Sequence, residues 1–417
     1  MKKQIKRAAA AQPLAQKGFS IPPIMELIIF SMCLILIFLG IFQTIYKTPY
    51  SATGIYFDFA SKVIHGQIPY RDFSLEYPPL ALIFFIIPRL FADGWPLFSI
   101  LYQVEVMVFA IIGAAVIYKI ARRLGKPSWK LLLPYVIGIL AIGPITGQQY
   151  DMFPAVLMLL SLYFFWTGKH KTSWLFLALG TLTKIYPFVI APIYLIYYWK
   201  NRQFKPLVSG ILVFATACLI VLLPFLVISP SSLLSLVNYH SQRGLQIESS
   251  YSSILLIADK LGLTSIKLSF NYGSWNLGGT VAALWSKYSI YVMGLGLLAA
   301  YGFIYRQIKI GKSQFTRLGA YCVLVITVLL ITSKIFSPQY IIWLLPAVVL
   351  VLNRWKSTIT LLFITIGVLT YLIFPLYYLD LVYLKPFGVV LLFVRDLFLL
   401  ILGIAAVVSL RKMKSSE

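Results

Sequence analysis

Six short stretches of this 417-residue chain gather side chains able to move protons or hold phosphate. "TGIYFDFASKVIHG" (53–66) carries Asp58, and "GQIPYRDFSLEYPPL" (66–80) carries Tyr70, Arg71, Asp72 and Glu76. "ITGQQYDMFP" (145–154) brings Gln148, Gln149 and Asp151, and "TLTKIYPF" (181–188) sets Lys184 just before Tyr186 and Pro187. "YHSQRGLQIESSYSS" (239–253) holds His240, Arg243 and Glu248, and "SKIFSPQYIIWLLP" (333–346) holds Lys334 and Gln339. A carboxylate can deprotonate a hydroxyl or bind one. Arg suits bidentate phosphate binding, and His can donate or accept.

Each residue also has a plainer reading. Asp58 and Lys62, four apart, suit a helix-stabilising pair worth about 0.3–0.5 kcal/mol. Asp72 suits a turn cap, and Gln148 and Asp151 suit the satisfaction of exposed helix ends. Lys184 interrupts an apolar run where a helix must break, which suits a snorkelling lysine or a ligand for phosphate or carboxylate. Glu105, Arg395 and Asp396 fall inside apolar runs and read first as intramembrane pairing.

The elements that would position these groups are membrane spans. The chain is 60% hydrophobic and only 12% charged, and many of its apolar runs approach or exceed the roughly 18–20 residues that cross a bilayer. These runs imply an all-α polytopic membrane protein. Spans are expected near 24–46, 96–118, 131–145, 152–167, 173–184, 187–199, 206–228, 287–305, 318–333, 338–352, 357–377 and 387–409. The pair at 173–199 is short enough to be one broken helix. The first run is longer than a signal-peptide core, with no small-residue cleavage site after it, so it reads as a span.

A net charge of +24 would suggest nucleic acid in a soluble protein, but 24 of the 36 basic residues fall in the N-terminal arm, the short inner loops between the expected spans and the C-terminal tail. With the N-terminal arm (1–23) inside, Asp58, Asp72, Glu76, Asp93, Asp151, Glu248, Asp259 and Asp380 all fall on the opposite side. Both termini are therefore expected in the cytoplasm and the working groups on the extracytoplasmic face of the cell membrane. The two long connections, 47–95 and 229–286, are expected outside, within a single domain spanning 1–417. Cys33, Cys218 and Cys322 lie in apolar runs and give neither a disulfide framework nor metal-ligand spacing. No cofactor, metal or nucleic-acid partner is expected.

In the first long connection, Ile55, Phe59 and Val63 recur every four residues. Asp58, Ser61, Lys62 and His65 share a polar stripe, with Thr53 placed as N-cap and Gly66 as the stop. This predicts a short interfacial helix. A second short helix, "LALIFFIIPRLF", is expected after Pro78-Pro79.

Taken in order, "D…G-x-x-P-Y-x-D-F-x-x-E-Y-P-P-L", "G-Q-x-x-D", "K-x-Y-P", "R-G-x-Q-x-E-S" and "S-P-Q-Y-x-x-W-L-x-P" resemble glycosyltransferase family 87, from about Tyr56 to Pro346. These are polytopic enzymes of the GT-C class, similar to bacterial polyprenol-phosphate-mannose-dependent mannosyltransferases. The resemblance implies a GT-C fold and transfer of a hexose, mannose first among them, from a polyprenyl-phosphate donor to a glycolipid or glycan acceptor. It implies inversion at the anomeric carbon, no metal, and Asp58 as general base. Lys184, His240, Arg243 and Lys334 would hold the donor phosphate. Tyr70, Arg71, Asp72, Glu76, Gln148, Asp151, Tyr186, Glu248 and Gln339 would line the sugar and acceptor site. A twelve-span transporter or flippase of lipid-linked sugars would explain the span count equally well. Transporters, however, place their polar groups at the midplane in broken helices. Here they cluster in two long external loops, which favours an enzyme.

Overall fold

The computed structural model describes residues 22–45, 52–229, 242–308, 315–352 and 356–414. Within them the chain is a multi-pass helical membrane protein. Six helices are long and apolar enough to cross a bilayer, and four shorter apolar ones accompany them. Helices dominate because lipid offers no partner for backbone N–H and C=O groups, so each span must satisfy its own.

In chain order the main helices are α1 (Pro23–Ile35, extended through a π turn at Leu36–Ile41), α2 (Thr53–Ile64), α3 (Ala81–Arg89), α4 (Trp95–Arg123) and α5 (Trp129–Ile142). Next come α6 (Met152–Trp166), α7 (His170–Thr183), α8 (Ala191–Lys200) and α9 (Phe204–Ile228). The rest are α10 (Ser250–Lys260), α11 (Thr280–Gln307), α12 (Phe315–Thr332), α13 (Lys356–Tyr371) and α14 (Pro386–Lys414). The twelve expected spans each coincide with helical structure. Between α7 and α8 the helix breaks at Lys184, whose backbone is extended, and restarts as a 3-10 turn over Tyr186–Ile190. A second 3-10 turn, Pro338–Leu344, leads into a short helix at Leu345–Val349.

One hairpin of helices, α6 and α7, packs on α9, while α12 and α13 pack on α14. Close approach is achieved with glycine, as expected where packing rather than water exclusion drives association in lipid. At Gly319 of α12 a methyl group would lie 2.4 Å from the Leu350 carbonyl carbon, a backbone atom unable to move aside. Gly319→Ala is therefore expected to cost about 1–3 kcal/mol of stability, measured as earlier unfolding in mixed micelles. An unchanged unfolding curve would show that this contact yields freely.

The second long connection is not wholly helical. Residues Leu245–Gln246 (β1), Lys267–Asn271 (β2) and Ser274–Gly278 (β3) form an antiparallel sheet in the order β1-β3-β2. Leu245 pairs with Leu277 and Asn271 with Ser274. Tyr272 and Gly273 close the β2–β3 hairpin with φ of 49° and 68°, the two positive values of a type I′ turn. No strand was expected in this connection. Behind the sheet, Leu245, Ile247, Leu255 and Leu277 form a second, smaller apolar cluster with Val389 and Leu392 of α14.

Helix α2 is where expected, but its cap is not. Ala52 occupies the N-cap without a side-chain hydrogen bond. The Thr53 hydroxyl is buried and accepts from Trp95 Nε1 at 3.2 Å. Gly66, with φ of 84°, ends the helix as expected. The buried positions are Thr53, Tyr56 and Ala60, one residue round from the expected apolar stripe.

Candidate active site

A cavity of about 500 Å³ opens where all six motif stretches meet, the first of them through Ile55 of α2. Glu76 and Tyr77 enter from the loop between α2 and α3, and Gln149 and Tyr150 from the turn before α6. Lys184 and Tyr186 come from the α7–α8 break, Arg243 from the approach to β1, and Gln339, Tyr340 and Trp343 from the 3-10 turn. The hairpin tip, Tyr272-Gly273, closes over them. A non-glycine residue held at positive φ is a strained conformation, and such strain concentrates at functional sites.

Lys184 and Asp151 form the buried centre of one wall. Lys184 Nζ donates to Asp151 Oδ1 at 2.6 Å, and Trp343 Nε1 donates to the same oxygen at 2.6 Å. Asp151 is fully buried behind the lysine and does not reach the cavity. The lysine also lies 4.3 Å from the Tyr150 ring centre and 4.8 Å from that of Tyr340. Trp343 stacks between Tyr186 (4.1 Å) and Tyr340 (3.9 Å), giving a rigid aromatic wall. Lys184 is thus neither snorkelling nor bare: its charge is matched by Asp151.

Arg243 is 8% exposed, with Nη2 donating to Ser274 Oγ at 2.9 Å. Its Nε has no hydrogen-bond partner among the described residues. The backbone carbonyl of Arg243 accepts from Lys334 Nζ at 2.6 Å. Lys334 itself lies outside this cavity, on the far side of Arg243. Burial and the neighbouring Arg243 guanidinium push its ammonium below the usual lysine range.

The remaining candidates are elsewhere. Asp58 sits on the exposed face of α2, off the cavity wall, and makes no ion pair among the described residues. Lys62, its expected helix partner, lies instead 5.3 Å from the Phe73 ring centre. Arg71 and Asp72 pair with each other at 2.8 Å, and Asp72 Oδ2 accepts from the Ile68 N–H. The Arg71 guanidinium and this N–H hold the Asp72 carboxyl below its usual range. Tyr70 is buried and donates to the Tyr77 carbonyl at 2.5 Å, bracing the loop that carries Glu76. Gln148 is buried, and its neighbour Gln149 takes the cavity position, accepting from the Tyr56 hydroxyl at 2.9 Å. Tyr150 and Tyr272 are wall residues that the sequence motifs did not name, while Gln149, Tyr340 and Trp343 stand in quoted stretches without an assigned role. His240 lies outside the described residues.

Glu248 faces away, behind β1, in a buried cluster with α14. Arg395 Nη2 donates to the Glu248 carbonyl at 2.5 Å, lies 4.0 Å from the Phe336 ring centre, and pairs with Asp396 at 2.7 Å. Burial pushes the Glu248 carboxyl up to about 7, against the opposing pull of Arg395. The folded state therefore binds this proton more tightly than the unfolded chain, whose glutamate titrates near about 4.3. Stability should fall as pH rises from about 4.5 to 7, by about 2 kcal/mol or more. Unfolding titrations at pH 5 and pH 8 check this: Glu248→Gln should flatten the decline, and an identical decline in that variant would assign it to another group.

The sequence profile of glycosyltransferase family 87 matches residues 75–333, well over half of the chain. The chain belongs to glycosyltransferase family 87. The match begins one residue before Glu76 and ends one before Lys334. This family 87 enzyme finds no match among curated protein sequences. Among solved structures it is similar to the crystal structure of ArnT from Cupriavidus metallidurans bound to undecaprenyl phosphate. That likeness has a TM-score of 0.47 and 14% identity, over 92% of this chain and 77% of that one. The helical, multi-span architecture agrees with the GT-C class that the sequence motifs implied.

Proposed function

We propose that this family 87 enzyme transfers a hexose, mannose in the first instance, from a polyprenyl-phosphate donor to a glycolipid or glycan acceptor on the extracytoplasmic face. The observation that carries the reading is that Glu76 and Arg243 line one cavity with an aromatic wall between the membrane-spanning elements. Glu76 is the general base. Its carboxylate takes the proton of an acceptor hydroxyl as that oxygen attacks the anomeric carbon, and the bond from that carbon to the phosphate oxygen breaks. Attack opposite the leaving group inverts the configuration. The departing phosphate gains negative charge, which the Arg243 guanidinium stabilises with its free Nε–H.

This assignment moves the base from Asp58 to Glu76, because a base must come within hydrogen-bond reach of the proton it removes. Glu76 lines the cavity, whereas on α2 the wall residue is Ile55, with Asp58 one turn further along and exposed. Lys184, matched by Asp151, serves the sugar rather than the phosphate: it orients hydroxyls against the Trp343 wall together with Gln149 and Gln339. Charge alternation along the sequence supports the extracytoplasmic placement.

The test is reconstitution in lipid nanodiscs with polyprenyl-phosphate mannose and candidate acceptors. Release of polyprenyl phosphate and an inverted glycosidic linkage by NMR are expected. Labelled lipid-linked sugar crossing a sealed bilayer with no donor consumed would replace transfer by transport.

A further inference from the structure

At the opposite end of the helices, α1, α4 and α5 meet around a cavity of about 360 Å³ lined by Glu26, Arg122, Gly125, Lys126, Pro127 and Ser128. Helix α4 begins against α2, where Trp95 reaches Thr53, and its 29 residues rise ~43 Å to Arg123. The cavity therefore lies across the hydrocarbon core from Glu76, at the end whose charge pattern fits the cytoplasmic side. Gly125, with φ of 62°, closes α4, and the Lys126 N–H returns to the Ala121 carbonyl at 3.0 Å. This tight turn keeps Arg122 and Lys126 on one opening. Two more cations stand next to it: Lys130, one residue beyond Trp129, and Lys356 of α13, whose ammonium donates to the Lys130 carbonyl.

Topology alone accounts for basic residues at this end. It does not account for the other groups in the lining. Ser128 is 1% exposed, and its Oγ has no hydrogen-bond partner among the described residues. It stands at the N-cap of α5, yet its side chain does not cap the helix. A buried hydroxyl left unmatched is unfavourable, so this one calls for a ligand. Glu26 of α1 is the one carboxylate in the lining among the described residues, and its Oε2 accepts from the Trp129 N–H at 3.1 Å. Away from the cavity the surface turns apolar. Helix α5 exposes Trp129, Leu133, Ile137 and Leu140, and α1, which packs on it, exposes Met25, Ile29, Met32 and Leu36. Both sets follow helical spacing, so each is a stripe running from the cavity into the depth of the bilayer.

We propose that this cavity binds the headgroup of an anionic glycerophospholipid of the phosphatidylglycerol type. The phosphate lies between Arg122 and Lys126 and accepts from Ser128 Oγ, the glycerol hydroxyls donate to Glu26, and the acyl chains follow the stripes on α1 and α5. A free anion would satisfy the cations but has no use for the stripes. Net charge selects among lipids. Two cations in the lining and two beside it outweigh one carboxylate, which favours a headgroup with a full negative charge. A choline headgroup has no donor for Glu26 and brings its own positive charge against the lysines. An ethanolamine headgroup can donate to Glu26 but meets the same repulsion. The bound lipid clamps the start of α1 to the α4–α5 turn, a membrane away from sugar transfer.

Native mass spectrometry of the full chain in detergent, with dioleoyl phosphatidylglycerol, phosphatidylethanolamine and phosphatidylcholine offered in turn, tests the site. Phosphatidylglycerol should be retained at least about fivefold more tightly than either zwitterionic lipid. Arg122→Gln and Lys126→Gln should each weaken it about tenfold. Ser128→Ala gives up no hydrogen bond in the free protein, so it should weaken phosphatidylglycerol about threefold while leaving the lipid-free unfolding midpoint unchanged. Lys171→Gln, an exposed lysine at the start of α7 on the same side of the membrane, should leave retention as it is. Glycerol phosphate, which lacks the acyl chains, should bind at least about tenfold more weakly. Equal retention of the three lipids would overturn the headgroup site, and so would a loss in Lys171→Gln as large as that in Arg122→Gln, which would mean diffuse attraction. Glycerol phosphate binding as tightly as the lipid would overturn the lipid in favour of a free anion.

Discussion

Glu76→Gln is expected to lower kcat by about 10²–10⁴-fold while leaving the donor KM nearly unchanged, because it removes a proton acceptor and little else. The amide keeps the size and shape of the carboxylate, and the loop that carries it is fixed on both sides. Leu75 is buried before it, Tyr70 holds the Tyr77 carbonyl after it, and Pro78-Pro79 stiffens the lead into α3. The protein should therefore fold and bind donor normally. Asp58→Asn, at an exposed position that does not line the cavity, should turn over within about threefold of the parent. The pair of variants decides the base. Full activity in Glu76→Gln with loss in Asp58→Asn would return the role to Asp58.

That choice shows where the sequence stops being legible. The span pattern, the helix break at Lys184 and the convergence of distant motifs could be read from apolar run lengths, proline positions and residue order. Which carboxylate faces inward could not. On α2, the stripe of Ile55, Phe59 and Val63 looks like the packed face of a soluble amphipathic helix. The fully buried side is instead Tyr56 and Ala60, while Phe59 and Val63 are only partly buried and Ile55 lines the cavity. Asp58 is left exposed beside the cavity, with Ile55 and not Asp58 in its wall. Arg71 and Asp72 were equally ambiguous in sequence, and the structure has them satisfy each other.

Arg243 and Glu248 are five residues apart in one motif, yet they face opposite ways. Only Leu245 and Gln246 between them are strand, and the chain turns at residues 247–248 before α10, which takes Glu248 to the α14 side. The motif therefore serves two purposes: its arginine enters the cavity and its glutamate ties β1 to α14 through Arg395. The strands themselves went unread because they are short and sit beside long apolar runs.

The Lys184–Asp151 pair should give the largest stability effect of any single position here. Asp151 is fully buried and Lys184 is 13% exposed, so removing either leaves a charge with little access to water. Lys184→Met should cost about 3–5 kcal/mol, the range found when one partner of a buried pair is deleted. Asp151→Leu should cost a similar amount and also strip the Trp343 indole of its acceptor, loosening the Tyr186–Trp343–Tyr340 stack. The double variant Lys184→Met/Asp151→Leu removes both charges together and should recover most of that loss, because apolar replacements of a buried pair are often neutral. Unfolding titrations in mixed micelles measure all three. Additive losses would mean that the two side chains act independently, against the 2.6 Å contact between them. Activity separates stability from function: the double variant should be folded yet poor in kcat/KM for the sugar donor, since the cation and the braced aromatic wall are both gone. A stable double variant with parental kcat/KM would confine the pair to folding and leave the sugar to the glutamines.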